Sequence, residues 1–325
     1  MKGTDAKTFR VRHDSRFPVS PLRRPGRGEP RFRLLPPLGH PGRADAHRPF
    51  GGTDYPVTVY VPAGARATTR LPIVVNLHGT QSTGSNQLHY SNLAPAADAG
   101  RFLVVAPSGT IPAAAGFAWN VPGVGTPPAD ARDDVAFLSQ VIATAVRSLC
   151  GDPRRVYGTG YSGGGRMISA LACHRADLLA AIAPVAGLRA GRPDPLDPTR
   201  VDPASCRPSR PMPVLTFHGR QDYTNPYPGG GSPYWQYSVA AAQQRWAQLN
   251  RCHGEARTVE VSTNVTLTSY RHCARGAEVG LFTVANGGHT WPGTPIDNGN
   301  GTVTQEISAN DLMWQFFRRH QLPLS

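Results

Sequence analysis

The sequence predicts a doubly wound α/β domain built on a mostly parallel sheet, and three observations carry that prediction. Beyond residue 50, apolar segments with strand character alternate with segments of helical periodicity, the order of a parallel sheet covered by helices on both faces. One strand, Leu71–Leu77 (L-P-I-V-V-N-L), is a continuous apolar run, as expected of a strand buried on both sides. Residues 156–167, V-Y-G-T-G-Y-S-G-G-G-R-M, set G-x-S-x-G between a strand and a helix. A serine on that tight turn needs small flanking residues so that strand and helix can pack closely. A phosphate loop would want G-x-x-x-x-G-K-[ST], and no lysine follows.

Taken in order, residues 57–61 alternate like a strand, residues 71–77 form the buried run, and residues 102–106 form a third strand. Residues 133–149 read as a helix, with Val135, Leu138, Ile142, Val146 and Leu149 at helical spacing and Asp133 or Asp134 near its start. The strand at 155–159 leads to Ser162, and the helix at 163–173 puts Met167, Ile168 and Leu171 on one side. Strands follow at 180–186 and 213–217, then a helix at 233–250 using Val239, Ala242, Trp246 and Leu249. A last strand spans 279–285 and a last helix 308–320, where Ser308 with Asp311 resembles a capping box. Leu312, Met313, Phe316 and Phe317 should face the core. With no repeat and no second core, residues 51–325 are expected to be one domain.

Composition narrows the function. At 39% hydrophobic the chain can bury a sizeable core, and no apolar run approaches a membrane span. The net charge of +13 hints at nucleic acid. Yet residues 1–50 alone carry +8 and the remaining 275 only +5. The excess sits in an Arg/Pro-rich stretch without periodicity, expected to be a disordered basic tail, and the body lacks a basic stripe interleaved with aromatics. Neither nucleic acid nor membrane is expected as a partner.

The five cysteines include no C-x-x-C, which argues against thioredoxin chemistry and most zinc ribbons. Cys252-His253 and His272-Cys273 would chelate poorly, since adjacent residues of an extended chain point to opposite sides. A Cys252–Cys273 disulfide is the better reading, with Cys173–Cys206 a plausible second bridge and Cys150 outside both; connectivity stays open at this stage. Disulfides imply an oxidising compartment. No apolar h-region is legible in residues 1–50; export is nevertheless expected.

A serine nucleophile needs a base, and the base an acid to orient it. In the order Ser, Asp/Glu, His, after the ends of strands, few candidates fit. Among eleven histidines, His289 follows the last strand in G-G-H-T-W-P-G with a helix still to come. His78 and His218 come too early, and His78 is expected to shape its loop. Asp222 lies just past the 213–217 strand in F-H-G-R-Q-D, whereas Asp194, Asp197 and Asp202 precede it. The oxyanion hole needs two backbone N–H groups: Gly163, after the nucleophile, and Thr80, in the H-G-T-Q that follows residues 71–77. Trp119, Trp291, Tyr227, Tyr234 and Trp235 fall in Gly/Pro-rich loops. Exposed, they would suit a flat or aromatic acyl group; buried, they would anchor long loops.

The segments L-H-G-T-Q-S-T, D-P-R-R-V-Y-G-T-G-Y-S-G-G-G-R-M, F-H-G-R-Q-D-Y-T-N-P-Y and G-G-H-T-W-P-G resemble the secreted polyhydroxybutyrate depolymerase and feruloyl esterase family, similar to carbohydrate esterase family 1, over roughly residues 51–325. The resemblance implies an α/β-hydrolase fold, export, and hydrolysis of polyester or plant-wall phenolic esters through an acyl-enzyme, without cofactor or metal. It implies Ser162, Asp222 and His289 as the triad, Thr80 and Gly163 as oxyanion donors, and Trp291 beside the acyl pocket; Trp119 and Tyr227 are the further substrate candidates. Asn250-Arg-Cys252 and Tyr270-Arg-His-Cys273 match the family's surroundings of a disulfide. A monomer is expected. An acyltransferase with the same triad, and acetyl-xylan or aromatic-polyester esterases, are the alternatives; a peptidase or a non-enzymatic binder fits less well. Many relatives carry Ser-Asn-Gly where this chain has Ser162-Gly163-Gly164, so the entrance beside Ser162 is expected to be more open. No appended polymer-binding module is legible.

Overall fold

The computed structural model describes residues 42–66 and 68–323. In chain order the elements are β1 (Gly42–Phe50), β2 (Thr53–Val61), β3 (Leu71–Leu77), α1 (Gly84–Ser91), α2 (Ala94–Gly100), β4 (Leu103–Pro107), β5 (Ile111–Ala113) and β6 (Gly116–Ala118). Then come α3 (Asp134–Ser148), β7 (Gly151–Tyr161), α4 (Gly163–His174), β8 (Ala181–Val185), β9 (Val214–Gly219), α5 (Val239–Leu249), β10 (Arg257–Ser262), β11 (Val265–Tyr270), β12 (Val279–Val284) and α6 (Ala309–Phe317). Ten strands form one sheet in the order β1-β2-β4-β3-β7-β8-β9-β12-β11-β10. From β4 to β12 every neighbour is parallel; the hairpins β1–β2 and β10–β11 extend it antiparallel at the edges. This is the doubly wound, mostly parallel architecture expected from the sequence.

Two-residue alternation divides each central strand between two cores. Ile73, Val75 and Leu77 join Val156, Ile182 and Val214 under α3, α4 and α5. Val74, Val104, Tyr157 and Phe217 face the other way, under α1, α2 and α6. Burial on both faces is why β3 reads as an unbroken apolar run. The caps follow the sequence too: Asp133 accepts from the Ala136 N–H and Ser308 from that of Asp311.

The structure corrects several expectations. The stretch at 42–50, assigned to the disordered tail, is strand β1, paired with β2 from Gly42 opposite Val61 to Phe50 opposite Thr53. Its Ala46 is fully buried, while Arg43, Asp45 and His47 face solvent, a charged edge that masks the strand's own pattern. The rest of the expected tail lies outside the described residues. Helix α5 starts at Val239 rather than near 233, because Ser238 caps it. The β10–β11 hairpin, with β10 almost wholly exposed, and helices α1 and α2 had no apolar signature strong enough to read.

Both expected bridges form: Cys173–Cys206 ties α4 to the loop before β9, and Cys252–Cys273 closes the β10–β11 excursion. Cys150 belongs to neither.

Candidate active site

The chain leaves β3 for β4 on one side and later returns to β7 on the other. The carboxyl ends of β3 and β7 therefore flank the point where strand order reverses, where doubly wound sheets bind ligands. Ser162 sits there, between β7 and α4, at φ 53° and ψ −111°. That left-handed backbone is costly for a non-glycine residue, and its neighbours are shaped to permit it. A Cβ on Gly160 would lie 2.6 Å from the Gly164 carbonyl carbon, and one on Gly164 only 2.1 Å from the Leu77 carbonyl oxygen. Neither position can carry a side chain.

Asp222 follows β9 and is fully buried. Its Oδ2 is 2.7 Å from His289 Nδ1, and its Oδ1 accepts from the backbone N–H groups of Thr224 and Asn225. Burial alone would push this carboxyl up, but the hydrogen bonds from His218 and His289 hold it well below the usual carboxylate range. An acceptor at Nδ1 fixes His289 as the Nδ1–H tautomer. Its Nε2 is buried and has no hydrogen-bond partner among the described residues. Burial lowers the His289 pKa, against the pull of Asp222. The backbone of this histidine is pinned: Tyr161, next to Ser162, donates its hydroxyl to the His289 carbonyl at 2.6 Å, and Asn298 donates to the Tyr161 oxygen at 2.8 Å.

Thr80 follows β3. The Cβ position of Gly163 is 3.0 Å from the Thr80 nitrogen, so the two candidate oxyanion N–H groups lie side by side. His78 shapes this loop, as expected: its Nε2 accepts from the Gly109 N–H at 2.8 Å and Nδ1 donates to the Gly79 carbonyl. Burial pushes His78 down to about 4, which keeps it in that neutral form.

Other expectations fail. Trp291 does not reach the surface of the site. It is fully buried, and its indole N–H donates to Asn310 of α6, because a buried indole needs a partner; it anchors the His289 loop. Tyr227, half-buried, is tied through its hydroxyl to Thr283 and packs edge-on against His218, whereas Tyr234 lines the cavity beside Gly163. Trp119 does line that cavity, about 260 Å³ in volume, together with Thr80, Gly163, Arg166 and Tyr234. The space beside Gly163 is not open. A Cβ there would lie 2.6 Å from Thr80 Oγ1 and 3.5 Å from an Arg166 nitrogen, so two other side chains already fill it.

Three residues escaped the sequence reading. His218, at the end of β9, lies with Nε2 3.2 Å from Asp222 Oδ2 and 2.8 Å from the Asn225 carbonyl, so it donates to both from the protonated Nε2. Asn225 links this group to Arg166. Arg166 had one legible signal, a charge inside an otherwise apolar helix face beside Met167 and Ile168. Among the described residues no three His, Cys, Asp or Glu side chains gather as a metal ligand set.

No protein-family model matches the chain. It is 32% identical over 273 residues to feruloyl esterase B of Piromyces equi, covering 82% of this chain and 45% of that protein. It is 29% identical to poly(3-hydroxyalkanoate) depolymerase C of Paucimonas lemoignei, over 74% of this chain and 59% of that one. The chain thus spans about half the length of these relatives. An acetyl xylan esterase structure from Aspergillus awamori superposes with a TM-score of 0.53 at 17% identity, over 81% of this chain and 94% of the other. With the sheet order, the elbow and these likenesses together, the chain belongs to the feruloyl esterase and polyhydroxyalkanoate depolymerase family of α/β-hydrolases.

Proposed function

We propose that the protein is a serine carboxylic-ester hydrolase acting through a Ser162–His289–Asp222 triad on polyester or phenolic esters. The observation that carries this reading is the buried, unpartnered Nε2 of His289, whose Nδ1 is held by Asp222; a serine on a strained elbow supports it. His289 Nε2 accepts the Ser162 hydroxyl proton as Oγ attacks the ester carbonyl. The Thr80 and Gly163 N–H groups take the oxyanion. Collapse expels the alcohol, which receives the proton from His289 and leaves an acyl-serine. Water, deprotonated in turn by His289, releases the acid and restores Ser162. Asp222 keeps the imidazole in the Nδ1–H tautomer and stabilises the imidazolium. The two disulfides support an oxidising, extracellular setting.

Ser162→Ala should lower turnover by roughly a million-fold, the scale of nucleophile loss in a comparable triad, and abolish labelling by a fluorophosphonate probe. Substantial residual hydrolysis would overturn the assignment. A panel of p-nitrophenyl esters, methyl ferulate and a polyhydroxybutyrate film ranks the acyl groups.

A further inference from the structure

Two buried guanidinium groups lie behind the candidate oxyanion residues with no carboxylate among the described residues to neutralise them. Arg166, one helical turn beyond Ser162, is 6% exposed. Among the described residues it makes no ion pair. Its Nη1 donates to Asn225 Oδ1 at 3.3 Å and its Nη2 to Thr80 Oγ1 at 3.4 Å, both long, and its Nε is buried with no partner. A guanidinium has five N–H donors, so most of this one's capacity is unspent. Its carbon lies 4.3 Å from the Tyr234 ring centroid. Arg189 sits deeper: Nη1 donates to the Tyr237 carbonyl, Nε and Nη2 have no partners among the described residues, and the Trp235 ring centroid is 3.3 Å away. The two cations act on each other, since the Arg166 charge helps lower the Arg189 pKa after burial and against the pull of Tyr237. By contrast, the buried Arg132 is paired with Asp134 at 2.6 Å.

A charge removed from water without a counter-ion is costly, and aromatic faces return only part of that cost. Arg166 and Tyr234 line the cavity shared with Thr80, Gly163 and Trp119, so the missing counter-ion has a place to enter. A planar carboxylate matches the guanidinium fork in charge and shape. We propose that this cavity receives a carboxylate borne by the ester itself, bound by Arg166, and that the preferred substrates are acidic esters such as short hydroxyacid oligomers ending in a free acid. Trp119 and Tyr234 flank the connecting arm, and Arg189 adds positive potential from behind. The inference rests on the ester-hydrolase reading above and specifies its substrate class.

The test compares each acidic ester with its neutral methyl ester. For the acyl side the pair is mono-4-nitrophenyl adipate and methyl 4-nitrophenyl adipate; for the alcohol side, 3-acetoxybenzoate and methyl 3-acetoxybenzoate. The full-length protein should favour the acid in at least one pair by roughly 10- to 100-fold in kcat/KM, the worth of a charge-assisted hydrogen bond. Arg166→Gln should collapse that ratio towards one, and Arg166→Lys should restore part of it. Equal or better hydrolysis of the neutral member of both pairs by the unmodified protein overturns the inference, whatever the variants do, and leaves the hydrolase reading intact. Calorimetry on Ser162→Ala separates the two ideas. Binding of the acidic ester in preference to the neutral one, in a protein whose parent hydrolyses neither, would condemn the hydrolase reading alone; no preference there would condemn the carboxylate site.

Discussion

Asp222 accepts from two imidazoles at one oxygen, His289 at 2.7 Å and His218 at 3.2 Å, while two backbone N–H groups hold the other. A carboxylate so surrounded stays ionised far into acid and cannot rotate. His289 faces the opposite pressure. Burial disfavours its imidazolium most strongly; the Asp222 hydrogen bond and charge oppose this, and the charges of His218, were it protonated, and Arg166 reinforce it. The net direction is downwards. If His289 is the base proposed above, it works only when neutral, so the acid limb of kcat/KM, which reports the free enzyme, should fall below the ordinary histidine value of about 6.5. A pH–rate profile on a neutral p-nitrophenyl ester reads this directly. A limb above that value would mean that the base titrates in a more anionic setting than the buried His289 occupies.

At the scale of elements, the site depends on how closely the start of α4 meets the loop after β3. The sequence made the elbow legible because its demands are local: glycines at 160 and 164 are required by contacts with α4 and Leu77, and the flanking strand and helix have strong periodicity. The helix face carrying Met167, Ile168 and Leu171 was legible for the same reason. What could not be read was what meets α4 from afar. Thr80 Oγ1 and the Arg166 guanidinium fill the ground beside Gly163, although Thr80 is 83 positions upstream, and no local pattern encodes that meeting. Trp291 was misjudged similarly, since its partner Asn310 lies on α6. The contact at Gly163 yields a prediction. In Gly163→Ala the new methyl would press on Thr80 at 2.6 Å from Oγ1 and 3.0 Å from its nitrogen, displacing one of the two proposed oxyanion donors. Turnover on a neutral ester should drop by roughly 10- to 1000-fold, up to the cost of losing one such donor, with fluorophosphonate labelling slowed and the melting temperature little changed. Unaltered turnover would show that Thr80 does not serve the oxyanion.

For the whole molecule, the sheet's edge strand β1 is connected to the site by a continuous run of contacts. Phe50 meets Phe137 of α3 edge-on, with ring centroids 5.7 Å apart, and the Arg132 guanidinium lies 3.6 Å from the centre of the same ring. Arg132 donates to the Ser108 carbonyl, and the next residue, Gly109, donates to His78, which holds the Thr80 loop. Strand β1 also covers β2: Ala46 packs in the same core as Val57 and Val59, and Arg48 donates to Gln140 of α3 at 2.8 Å. A domain starting at residue 51, as composition alone suggests, would remove the Phe50, Ala46 and Arg48 ends of these contacts and leave β2 as an unpaired edge. A chain beginning at residue 51 should therefore melt at least about 5 °C below one beginning at residue 42, corresponding to the loss of a few kcal/mol in a protein of this size. Its turnover should fall as well, because the loop holding Thr80 loses its backing, and the shorter chain should self-associate through β2. Scanning calorimetry and turnover on the two chains decide the matter: coincident melting and equal rates would mean that β1 is an ornament on the sheet, and that the fold's working boundary lies at residue 51 after all.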